Sequence, residues 1–146
     1  MAAGNERAFA IKARLDDAHA AEFAFSACKT MYGGKAIAAG DTLFVFAEGP
    51  GDGPGLVAMG TVTWAEPLPR TPGVARETPR VSIRVRRDAP VRRPLSPDTL
   101  RRFCDWDDGR PETELNFKFY RQATPKIAGL SAAAARFLRQ RFGPIS

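Results

Sequence analysis

Long apolar runs are missing from this sequence. No stretch approaches the ~20 residues of a helical membrane span, so no such anchor is expected. The opening residues, MAAGNERAF, lack a charged start followed by an apolar stretch. That argues against a secretory leader and for a cytoplasmic location. Only two cysteines occur, Cys28 and Cys104, far apart in the chain. They are too few for a disulfide framework, and two reduced, buried thiols on helices are expected. The single histidine, His19, is all that a Ser–His–Asp or Cys–His relay could use. It falls at the start of a helical pattern, where a surface side chain is expected. One His and two isolated Cys give no transition-metal site, and nothing asks for a cofactor. The glycine-rich EGPGDGPG, Glu48 to Gly55, has no Gly-Lys-Ser/Thr after it and leads into a strand, so it reads as a plain hairpin loop rather than a phosphate cradle.

What the chain has is basic charge. The formal net charge is +6 over 146 residues, a length that fits one domain, 1–146. Arg outnumbers Lys while Ala, Gly and Pro are abundant, a composition that GC-rich coding produces without functional cause. The clustering is more specific. Residues 70–102 hold ten Arg against Glu77, Asp88 and Asp98. A concentrated basic field suits a polyanion partner, and nucleic acid is the expectation, with a solvated basic face as its rival.

The coarse pattern alternates strands with turns. AFAIKAR, Ala8–Arg14, is a loose first strand. Asp16 and Asp17 are candidate N-caps for a helix to about Tyr32, with Ala20, Phe23, Ala24, Ala27 and Met31 at helical spacing and Gly33-Gly34 as its stop. Gly40-Asp41 turns into the strand TLFVFAE, and LVAMGTVTW returns as another, ended by Pro67 and Pro69. RVSIRVRR, Arg80–Arg87, alternates cleanly, with Val81, Ile83 and Val85 on the inner face. Its outward Arg80, Arg84 and Arg86 recur at about 6.6 Å and could track a nucleic-acid backbone, or simply guard a solvent face. Ser96-Pro97-Asp98 starts a helix whose Leu100, Phe103 and Cys104 pack inward. Leu115, Phe117 and Phe119 read as a strand, interrupted at Thr124-Pro125, and KIAGL as a short last strand. Ser131 caps a terminal helix that carries Leu138 and Phe142 and ends at Gly143-Pro144. The sum is α+β, a small mixed β-barrel of about five to six strands with flanking helices.

The densest chemistry lies in CDWDDGRPETELNFKFYRQ, Cys104 to Gln122. Trp106 among three Asp is a poor core sequence. It either packs under its loop or offers its ring to a base. In the second case Asp107 or Asp108 would accept from a base amino group. Arg110 and Arg121 would hold a flanking phosphate, and Tyr120, outward on its strand, would be a second stacking wall.

Three stretches, YGGKAIAAGDTLFVFAEG, GLVAMGTVTWAEPLP and NFKFYRQATPKIAGLS, resemble the PUA-like superfamily, the small barrels that include EVE and ASCH domains. The resemblance implies RNA or DNA binding, RNA ahead of DNA, with a base, often modified, in a cavity beside the barrel. Tyr32 and Lys35 would line one rim and Trp106, Asp107 and Tyr120 the other. Some ASCH proteins are amidohydrolases or ribonucleases, which would make Lys35 a base or nucleophile. Their motif is roughly Gly-x-Lys-x-x-Glu/Thr-x-Arg; Gly33 and Lys35 match its first two positions, but Ala38 and Gly40 stand where Glu/Thr and Arg belong, so the balance is against an enzyme. A protein-interaction module is the third reading.

Overall fold

The structure, a computed structural model, describes residues 7–48, 54–69, 71–74, 77–121 and 126–142. Its strands are β1 (Ala8–Ala13), β2 (Glu22–Met31), β3 (Thr42–Ala47), β4 (Gly55–Pro67), β5 (Arg80–Pro90) and β6 (Ile127–Gly129). They close into a mixed barrel in the order β1-β3-β4-β5-β2-β6. Among the described residues three short α-helices accompany it: α1 (Pro97–Arg101), α2 (Pro111–Asn116) and α3 (Ala132–Arg139). Among the described residues no helix is long and apolar enough to cross a membrane. The interior of the glycine-rich loop, Thr124-Pro125 and Gly143-Pro144 lie outside the described residues.

Two apolar layers explain the patterning. One fills the barrel, with Ile11, Val45, Val62, Ile83, Val85 and Ile127 at its centre. The other lies between the barrel wall and the helices, where Ala10, Phe44 and Phe46 meet Leu100, Leu115 and Leu138. β1 therefore buries both faces and pairs with β3 in parallel, Ala8↔Thr42 through Ala13↔Ala47. A strand covered on both sides has no polar face, which is why its sequence alternates only loosely. β5 keeps the clean alternation over 80–86, with Val81, Ile83 and Val85 buried and Arg80, Arg84 and Arg86 exposed. Both serine caps form, Ser96 accepting from the Thr99 amide and Ser131 from the Ala134 amide.

Two expected elements are different. The helix expected up to Tyr32 is the strand β2. Phe23 and Phe25 enter the barrel while Glu22, Ala24 and Ser26 face out. A bulge between Phe25 and Cys28, with Ala27 at φ 52°, then breaks the two-residue period. Ala20, Phe23, Ala27 and Met31 consequently fall at a spacing that imitates a helix turn. His19 is exposed as expected, though not on a helix. The strand expected through Leu115, Phe117 and Phe119 is helical, α2 continuing into a π-helical turn over Phe117–Arg121. Pro111 at the first turn and Glu112 beside it are the start signals. The thiols also differ. Cys28 is half-buried on a strand, and Cys104 is exposed just beyond α1 because Leu100 alone of the three expected core residues is fully buried.

Candidate functional site

The chemistry gathers at one end of the barrel, where β2 and β6 finish and β1 begins. β2 ends in two consecutive left-handed residues, Tyr32 at φ 53° and Gly33 at φ 81°. This conformation is uncommon for a bulky side chain and costs about 1–3 kcal/mol, so it marks a place where the surroundings hold the backbone. Gly129 at the end of β6 is part of that restraint, since a Cβ there would collide with the Tyr32 carbonyl oxygen. The result is a Tyr32 ring turned outward and 39% exposed.

The helical turn supplies the rest. Residues 117 and 121 lie four apart and share a face, while Phe119 points the other way, into the helix–barrel layer. Phe117 packs edge-on against Tyr32, 6.5 Å between centroids, and against Trp106, 5.4 Å. The three form one row, drawn from the end of β2, the α1–α2 loop and the turn after α2. Trp106 is 39% exposed. Cations flank the row: the Lys118 ammonium lies 5.0 Å from the Tyr32 centroid, and the Arg121 guanidinium 5.2 Å from that of Trp106. On one side of the row is a cleft of about 560 Å³ bordered by Arg7, Tyr32, Lys118, Leu130 and Ser131. On the other is a smaller cavity of about 180 Å³ bordered by Trp106, Arg110, Thr113, Phe117 and Lys118.

Lys118 belongs to both hollows and is fixed by a polar cluster. Its ammonium donates to Glu114 Oε2 at 2.9 Å and to the Gly129 carbonyl at 2.8 Å. Glu114 also accepts from the Ser131 amide at 2.9 Å and from the Ser131 hydroxyl. Burial alone would raise the Glu114 carboxyl; the Ser131 and Lys118 donors outweigh it and hold the group below its ordinary 4.5. A depressed carboxylate stabilises the fold above the unfolded value and loses that contribution as pH falls through the folded one. Glu114→Gln is therefore expected to lower stability by about 1–3 kcal/mol at pH 7. It should also remove part of the acid sensitivity below pH 4.5, read by urea unfolding across pH. An unchanged acid limb would assign the sensitivity elsewhere.

The expected site residues separate into groups. Tyr32, Trp106, Arg110 and Arg121 come together. Asp108 is engaged in the loop itself, accepting from the Arg110 amide at 2.9 Å and the Thr113 hydroxyl at 3.0 Å. The Arg110 amide, ahead of Thr113, keeps its carboxyl below the usual range. Asp107 is exposed and does not border the small cavity. Tyr120 is not a second wall. The helical turn carries it to the opposite side, where it packs edge-on with Phe46 at 6.4 Å and lies under the Lys12 ammonium at 5.0 Å. Lys35 is exposed on a 3-10 turn, Gly34–Ala36, and does not border either hollow. Arg80, Arg84 and Arg86 lie on the outer face of β5, a strand that does not contribute to the aromatic row. Phe117, Lys118, Glu114 and Arg7 were not expected in the site. The i,i+4 spacings 114/118 and 117/121 are the signal that could have found the first three.

No protein-family model matches the sequence, and a search of curated proteins finds no match. Solved structures do match. The human THYN1 protein in complex with DNA containing 5-methylcytosine is 14% identical, with a TM-score of 0.66 covering 97% of this chain and 100% of that one. The DUF55 domain of human thymocyte nuclear protein 1 is 13% identical, at a TM-score of 0.62 over 93% and 99%. A hypothetical protein from Leishmania major is 16% identical, at 0.61 over 95% and 96%. The fold is thus shared with these solved structures, a small closed mixed β-barrel with short helices.

Proposed function

We propose that this PUA-like barrel binds nucleic acid and holds one base, modified or unmodified, against the row Tyr32–Phe117–Trp106. The observation that carries the reading is the row itself. Two of its rings are well exposed at the mouths of adjoining hollows, and Arg121 and Arg110 stand at the Trp106 end, while Arg7 and Lys118 at the Tyr32 end are paired with Asp41 and Glu114. An exposed ring beside cations suits a base with its phosphate, because stacking uses the π-face and the cations meet the backbone. Glu114 does not oppose this, being committed to Lys118 and Ser131. Asp107, exposed and next to Trp106 in the chain, is the remaining carboxylate candidate for a base amino group. In this reading Arg80 and Arg84 contact flanking backbone, while Arg86 is held by Asp88. The solved complex of human THYN1 with 5-methylcytosine DNA supports methylated DNA as the first probe, with the corresponding RNA beside it.

The test is tryptophan quenching on titration with short single-stranded DNA and RNA, plain and 5-methylated, at two salt concentrations. Saturable quenching is expected. Trp106→Phe should remove most of the signal, which identifies its source because Trp64 also emits. Trp106→Ala should weaken binding by about 1–3 kcal/mol with little change in salt slope. No binding by any oligonucleotide at low salt overturns the reading.

A further inference from the structure

The second tryptophan has no part in this site. β4 runs antiparallel to β5, with a register shift between Val62 and Trp64. Val62 is buried, Thr63 and Trp64 are both exposed, and Ala65 packs against the barrel core again. Without that bulge Trp64 would share the inward face of Val62. The bulge instead puts the ring on the open wall, 41% exposed. Its register partner Arg84 lies over it, guanidinium 5.6 Å from the ring centroid. Beyond Arg84 in the same row stands Ala24 of β2, too small to cover either group.

We propose that this wall is a track for single-stranded nucleic acid, running from the aromatic row to a terminal stacking platform at Trp64. The proposal rests on the base-binding reading above and specifies the strand that leads to it. Arg80 pairs in register with Lys29, three residues before Tyr32. Both are exposed and stand at the end of the barrel where the aromatic row lies. From Tyr32 to the Arg84 row is eight residues along β2, roughly 25 Å. Outward residues on a strand recur at about 6.6 Å, commensurate with the backbone of an extended single strand, so the span fits about four nucleotides. Arg86 is excluded from the track. It pairs with Asp88 at 3.1 Å, and Glu22 stands across from it, so the basic run ends there. Glu66 stands opposite Ser82, on the β4 side of the line from Arg80 to Arg84. A duplex offers no ring face to Trp64; an unpaired base does.

The measurement is fluorescence anisotropy with the whole chain and end-labelled single-stranded DNA of two, four, six and eight nucleotides, one terminal base being 5-methylcytosine. Affinity should climb with length and level near six. Trp64→Ala should cost at least about fivefold for the six-mer and leave the dinucleotide unchanged. Trp64→Phe should recover most of the loss. Arg84→Gln should lower the salt slope for the six-mer and not for the dinucleotide. Binding that is flat with length, or equally length-dependent in Trp64→Ala, overturns the track and leaves the base site standing. Duplex bound as tightly as single strand, with Trp64→Ala without effect, also overturns it. Absence of binding by any oligonucleotide removes the base site and the track together.

Discussion

Phe119→Ala is expected to lower stability by about 3–5 kcal/mol, a fall in Tm of roughly 10–15 °C. The ring is fully buried and stacks on Phe46 with centroids 5.4 Å apart. Truncation would open a void between the helical turn and the outer face of β3, and the surroundings are poorly placed to collapse into it. β3 is fixed in the barrel by pairing on both sides. The turn is tied at its backbone, since Lys12 Nζ donates to the Phe119 carbonyl at 3.0 Å. Thermal unfolding followed by circular dichroism gives the number. Because the same turn carries Phe117 and Arg121, the variant should also shift Trp106 emission in the folded state. A loss below about 1 kcal/mol would mean that the turn repacks freely, and the aromatic row could not then be a fixed platform.

Lys126→Met is expected to have the opposite sign. Lys126 is 1% exposed, directly before β6, with its ammonium 5.4 Å from the Phe119 ring centroid. Burial, and after it the charge of Lys12, pushes its pKa down from 10.5 to about 8. Between those values the unfolded chain keeps a proton that the folded chain has released. Stability therefore rises with pH across that window, and below it the fold carries the full penalty of the buried charge. Replacing the ammonium with a thioether of similar shape removes that penalty together with the ammonium's own contacts, the Phe119 ring among them, and should raise stability at pH 7 by about 1–2 kcal/mol. Urea unfolding at pH 7, 8, 9 and 10 checks both parts. The wild type should gain on the variant as pH rises, and the gap should close near pH 10. Equal slopes in the two proteins would sink the argument, as would a destabilised variant at pH 7.

Much of the barrel was legible because its signals are local. β5 alternates over an open wall, and Ser96 and Ser131 cap within three residues of themselves. β3 follows a Gly-Asp turn. The misread elements are those whose residues satisfy two periods at once. In β2 the bulge at Ala27 shifts the phase, so the side chains on either side fall at helical intervals. From Leu115 to Phe119 the apolar residues fit steps of two and of four equally well. Pro111 and Glu112 could have decided the case, but the aromatic run invited a strand. That single misreading placed Tyr120 beside Trp106 and hid Phe117. The candidate site was half legible. Trp106, Arg110 and Arg121 are close in sequence and stood out against their acidic neighbours. The row they join depends on Tyr32, expected at the rim from the family resemblance alone; it arrives there through two left-handed residues and the closure of the barrel, which no periodicity carries.

The pairing of β6 has a kinetic consequence. These three residues hydrogen-bond to β1, Phe9↔Gly129 to Ile11↔Ile127, and to β2 through Thr30↔Ile127 and Met31↔Ala128. The first strand and the last thus meet across more than a hundred residues of chain, and neither can complete its ladder until both exist. Folding should be slow for a chain of this length, with a transition state that waits on this long loop closure. A ribosome-bound chain would hold one edge of β1 and one of β2 unpaired until β6 emerges, and those edges would be open to chaperones during that interval.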